Sequence, residues 1–166
     1  MSQSEQYFED DIHPIDIVEN VASHHDWDFD RLGDDQIAMA VEGQWRTYSI
    51  TLAWSDYDET LRMVCTFEME PPESALPGLY ELLNAMNDQC WAGAFTYWAD
   101  QKLMVYRYGL VLAGGQVASP EQIDTMINAA VISAERYYPA IQLHVWGGRS
   151  PKDAMQVAIA EAYGRA

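Results

Sequence analysis

Between residues 37 and 67 three stretches alternate apolar and polar side chains with a period of two, the spacing of strands that bury one face. Ile37, Met39 and Val41 form the first, Tyr48, Ile50, Leu52 and Trp54 the second, and Leu61, Met63, Cys65 and Phe67 the third. Glu42-Gly43 and Ser55-Asp56-Tyr57-Asp58 supply short turns between them. Three successive strands with links this short read as an antiparallel meander.

The flanking segments change period. Ile12-His13-Pro14-Ile15-Asp16 opens a helix, with Pro14 at its first position, Ile12 and Ile17 as a staple, and Ile15, Val18 and Ala22 on one face. After Pro71-Pro72 the apolar spacing becomes helical at Leu79, Leu82, Leu83, Met86 and Cys90. Residues 91–98 and 102–112 read as a hairpin of a fourth and a fifth strand around Ala99-Asp100-Gln101. Ser119-Pro120-Glu121-Gln122 is a capping box that opens a third helix through Ile123, Met126, Ile127, Ala130 and Ala134, which Pro139 should end or kink. Ser150-Pro151-Lys152-Asp153 repeats the start signal for a last helix, from about residue 150 to about Tyr163. The order α-β-β-β-α-β-β-α(-α) describes an α+β domain, an antiparallel five-stranded sheet packed by helices. At 166 residues the chain fits one domain, spanning residues 12–166 behind an acidic and flexible N-terminus of residues 1–11.

Nine Lys and Arg stand against 26 Asp and Glu, a net charge of −17, and this opposes the phosphate neutralisation on which nucleic-acid and anionic-membrane binding depend. Neither partner is expected. No apolar run approaches the roughly 18 residues of a membrane span. The start, with Glu5, Glu9, Asp10 and Asp11, lacks the basic and apolar regions of a secretion signal, so a cytoplasmic protein is expected. The first 70 residues hold 17 of the acids and three of the bases. Most of this acidity reads as a solvated face, and Asp26, Asp28, Asp30, Asp34 and Asp35 are the candidates for a patch that meets a basic partner.

Catalytic signals are missing. No serine has the glycine flanks of a nucleophile elbow, and Cys65 and Cys90 both sit on apolar stripes rather than beside a histidine. His24-His25-Asp26, near Glu9, Asp10, Asp11 and His13, has metal-ligand residue types without a ligand spacing, and Gly114-Gly115 has neither a basic neighbour nor a phosphate-loop pattern. No catalytic residue, metal or cofactor is expected. The remaining signal is a surface. On the fifth strand Met104, Tyr106, Tyr108 and Leu110 lie on one side and Leu103, Val105 and Val111 on the other, so neither face is polar. Met104, Tyr106, Tyr108 and Leu110, with Trp98, are therefore the candidate partner or dimer surface, and a homodimer is expected unless residues 141–163 fold back over that side.

His13-Pro14-Ile15-Asp16, the strand that runs from Glu42-Gly43-Gln44-Trp45-Arg46 to Trp54, and Phe95-Thr96-Tyr97-Trp98, in this order of elements, resemble the YbjN family of bacterial proteins over about residues 12–145. The resemblance implies a fold similar to type III secretion chaperones, commonly homodimeric, and a non-enzymatic cytoplasmic protein of sensory or stress signalling that acts through contacts with an unidentified protein. It brings no catalytic motif. The alternative is a small-molecule sensor or small enzyme with a pocket between sheet and helices, edged by Gly114-Gly115 or by His24-His25.

Overall fold

The computed structural model describes residues 13–164; the acidic segment 1–11 lies outside them. The first helix, α1 (Pro14–His24), is capped by His13, whose Nδ1 accepts the Ile15 amide at 3.1 Å. With Nδ1 accepting, Nε2 carries the proton and donates to Asp35 at 2.9 Å. The meander follows as β2 (Gln36–Glu42), β3 (Thr47–Ser55) and β4 (Thr60–Glu68), then α2 (Leu76–Asp88), the hairpin β5 (Ala94–Trp98) and β6 (Leu103–Val111), α3 (Pro120–Val145) and α4 (Pro151–Gly164). Ahead of the meander lies β1 (Asp28–Arg31), so the antiparallel sheet has six strands rather than five, in the order β1-β2-β3-β4-β6-β5.

The additional strand has a physical reason to escape the apolar pattern. Of its four residues only Phe29 and Arg31 face the helices, and Arg31 reaches them as an ion, with Nη1 2.9 Å from both Asp16 and Glu19 of α1. Pairing with β2 holds the strand, not hydrophobic alternation. Pro139 does not end the helix, since α3 continues through it to Val145. A proline removes one backbone hydrogen bond, and Tyr137, Ala140, Ile141 and Val145 on both sides of it are buried, so packing sustains the helix past it. Cys90 lies past the end of α2 and is half-buried rather than the last residue of a buried stripe.

One apolar cluster joins the helices to alternate residues of each long strand: Ile37 and Met39, Ile50 and Leu52, Met63 and Cys65, Met104 and Tyr106. In this layer α1 lies over β1 to β3, α3 over β6 and α2 beside β5, while α4 packs on α2 and α3. The Tyr137 hydroxyl is the only buried side-chain polar atom among the described residues without a partner. A buried orphan hydroxyl costs about 1–3 kcal/mol. Tyr137→Phe should therefore raise stability by about 1 kcal/mol in urea unfolding, and a loss of stability would mean the hydroxyl has a partner in solution.

Candidate functional site

The residues between the core positions form the opposite face of the sheet. Asp30, Ala38, Thr51, Val64, Arg107 and Ala94 lie directly across from one another in register, one from each strand. Asp28, Ala40, Ser49, Thr66, Val105 and Thr96 form the neighbouring row. The core cluster draws none of its residues from these two rows. Their side chains are exposed or half-buried, Val105 excepted at 0% exposure, which sits between Thr66 and Thr96. An antiparallel sheet readily leaves one face to solvent, and the sequence fits that here with short Ala, Ser and Thr side chains.

The face is not uniform. Its β1 edge carries Asp28 and Asp30, both exposed. Its β4 and β6 side carries Arg62 and Arg107, around an open groove of about 760 Å³ that is also lined by Val64, Thr96, Trp98 and Trp91. Gly109, directly across from Arg62, lines the groove without a side chain. Trp91 is 100% exposed at the rim and Val111 65% exposed beyond it. Such large apolar groups in one region of a surface mark contact sites. Arg62 is bound to Asp58 at 2.7 Å, which holds the Asp58 carboxyl below its ordinary range. The Arg107 side chain has no ion-pair or hydrogen-bond partner among the described residues, and neither has that of Asp30.

The free edge of β5 is partly closed. The outward Phe95 amide donates to Asn87 Oδ1 at 2.6 Å, and Asn87 Nδ2 donates back to the Phe95 carbonyl at 2.9 Å. An asparagine side chain thus takes the place a paired strand would occupy, which blunts strand addition and leaves the face as the broader contact surface.

The expected surface residues divide. Met104 and Tyr106, 0% and 2% exposed, lie in the core; the Tyr106 ring meets Phe95 at 5.1 Å and Phe95 meets Tyr137 of α3 at 5.7 Å. Tyr108 and Leu110 share that side and are partly buried against the core. This corrects the expectation for these four. Register aligns Tyr106 with Cys65 and Met104 with Phe67, so the helices cover this side of β6 and the Leu103, Arg107 and Val111 side is the bare one. Trp98 does lie on the bare face. The five aspartates form no single patch: Asp28 and Asp30 are on the face, Asp26 is in the turn before β1 with φ 56°, and Asp34 and Asp35 are in the turn after it. Strand pairing separates residues that are neighbours in sequence. Arg62 and Arg107 escaped the sequence reading, although each is a base within a strand's alternation.

His25 Nε2 lies 2.7 Å from Asp124 of α3 and its ring stacks on Trp27 at 4.4 Å, tying α1 to α3. Among the described residues no three His, Cys, Asp or Glu side chains gather as a metal site would require. Burial pushes the Cys65 thiol up to about 12 and raises that of Cys90 as well, the latter opposed by Arg136, so neither is a ready thiolate at neutral pH. Gly114 and Gly115 form an exposed turn with φ of 80° and 74°.

The family model for YbjN, described as "Putative bacterial sensory transduction regulator", matches residues 14–143, more than half of the chain. No curated protein matches it. Among solved structures it is similar to that of "YbjN, a putative transcription regulator from E. coli", with 14% sequence identity and a TM-score of 0.53 over 74% of this chain and 86% of that one. At that identity the likeness is one of fold.

Proposed function

The chain belongs to the YbjN family, and from that premise we propose that it is a cytoplasmic regulator that works by holding another protein against its bare sheet face, not by catalysis. The observation that carries this reading is the face itself: rows rich in Ala, Ser and Thr that end in a groove rimmed by Trp91 and Trp98 and flanked by two arginines. An aromatic rim with arginine beside it is the composition of protein contact sites. The raised thiols weigh against a cysteine enzyme. The net charge of −17, with Asp28 and Asp30 on the same face, weighs against a nucleic-acid backbone as the partner. No helix among the described residues is long and apolar enough to cross a membrane.

A photo-crosslinking residue placed at Ala40 on the bare face, or at Ile132 on the outer surface of α3, tests the reading in the native cell. Ala40 should capture protein, another copy of the chain included, and Ile132 should not. Failure to capture protein at Ala40, together with saturable binding of a metabolite by the purified chain, would overturn it in favour of a small-molecule sensor.

A further inference from the structure

Gly109 stands inside β6, and the fold does not ask for glycine there. Its φ lies outside the left-handed region, and among the described residues a Cβ at this position would meet only the Thr60 methyl, at 3.3 Å, which a small shift relieves. A glycine within a strand weakens it and marks a place where another backbone comes close. This one opens outward, onto the groove of the bare face. The charge of that groove is the reverse of the chain's. On a chain of net charge −17 its lining holds Arg62 and Arg107 and no acid. Arg62 faces Gly109 and Arg107 faces Val64 across β4 and β6, so the two arginines are diagonal neighbours, about 7–8 Å apart. Asp58 meets Arg62 through Nη2, and the Arg107 side chain has no partner among the described residues. The exposed acids that share the bare face lie elsewhere. Asp28 and Asp30 are on β1, Glu42 ends β2, and Glu68 ends β4, four residues from the Val64 opposite Arg107, or roughly 13 Å at about 3.3 Å per residue.

Resting on the reading of this face as a contact surface, we propose that the groove takes an extended acidic segment of a partner protein. A carboxylate of that segment meets Arg107 and Arg62, a neighbouring aromatic or aliphatic side chain lies against Trp91 and Trp98, and its main chain crosses over Gly109. Guanidinium groups hold carboxylates in bidentate pairs, and tryptophan beside arginine is the composition of contact hot spots. Trp91, 100% exposed, has its whole surface to give to such a contact. At Phe95 the β5 edge is already occupied by Asn87, so the segment is recognised over the face and not by strand addition. A nucleic-acid strand would use the same rings and cations, but each phosphate it adds meets the repulsion of a chain charged −17.

Selection of a phage-displayed library of short random peptides on the purified full chain tests the assignment. Enriched sequences should carry Asp or Glu next to an aromatic or aliphatic residue. Arg107→Glu should weaken the binding of a selected peptide about tenfold or more, read by fluorescence anisotropy, and replacing the peptide's acid by Lys should restore binding to that variant. Gly109→Val should weaken it as much while the urea midpoint stays unchanged or rises, because valine fills the groove and suits a strand. No enriched sequence, enrichment of basic sequences, or selected peptides that bind either variant like the wild type would overturn the proposal. A labelled oligothymidylate that binds the wild type and not Arg107→Glu would overturn it in favour of nucleic acid. Self-association of the wild type that Arg107→Glu abolishes would overturn it in favour of a second copy. If Ala40 nevertheless captures another protein in the cell, the contact face stands and only the chemistry assigned to its groove fails.

Discussion

Raising the pH from about 9 to about 12 should cost the folded state up to about 4 kcal/mol through Cys65 alone. Burial in the middle of β4 lifts this thiol from an ordinary 9.0 to about 12. Above the ordinary value the unfolded chain releases the proton while the folded chain still holds it, so stability falls as pH rises, by about 1.4 kcal/mol per pH unit, until the folded thiol also titrates. Below the ordinary value the two states bind the proton alike and the contribution is fully present. Tyr48, Tyr106 and Tyr137, also raised by burial, act in the same direction from a higher starting value. Cys65→Ala removes only the thiol. Urea unfolding of both chains at about pH 8 and about pH 10.5 should therefore show a shallower alkaline loss in the variant, by roughly 2 kcal/mol. Equal losses would place Cys65 outside the core.

Glu135→Ala should destabilise the fold by about 2–3 kcal/mol. The Glu135 carboxylate on α3 accepts the Tyr48 hydroxyl at 2.7 Å and, at 3.2 Å for each oxygen, the backbone amide of Trp45 in the turn between β2 and β3. The Tyr48 side chain is fully buried and its ionisation is opposed first by burial and then by this carboxylate, so the hydroxyl stays a donor. Truncation at 135 removes an ionised acceptor from two donors, one of them part-buried, and the loss of a charged acceptor costs more than that of a neutral one. Tyr48→Phe should cost only about 1 kcal/mol, since the half-exposed carboxylate keeps the Trp45 amide and water. Urea unfolding of the two variants and the double variant measures the coupling. Additive effects would show that the hydroxyl and the carboxylate do not meet in solution.

These contacts lie between elements that are distant in sequence, and the same division runs through the fold. Local pattern determined the elements. The alternation in β2, β3 and β4, the helical spacing in α2 and the capping box at Ser119, with Gln122 Oε1 accepting the Ser119 amide at 2.9 Å and Ser119 Oγ accepting the Gln122 amide at 3.0 Å, each depend on residues close in the chain and were legible from them. So were the acidity and the family resemblance. Tertiary structure decided the rest. The strand β1 was hidden because its inward cation is stabilised by Asp16 and Glu19 rather than by apolar alternation. Pro139 could not be placed inside a helix from its own propensity, because burial on both sides of it outweighs one lost hydrogen bond. On β6, where both sides are apolar, only the alignment of Tyr106 with Cys65 selects the covered face, and that alignment in turn brings Arg107 into one row with Asp30. Strand register couples residues that are far apart in the chain, and no local spacing encodes it.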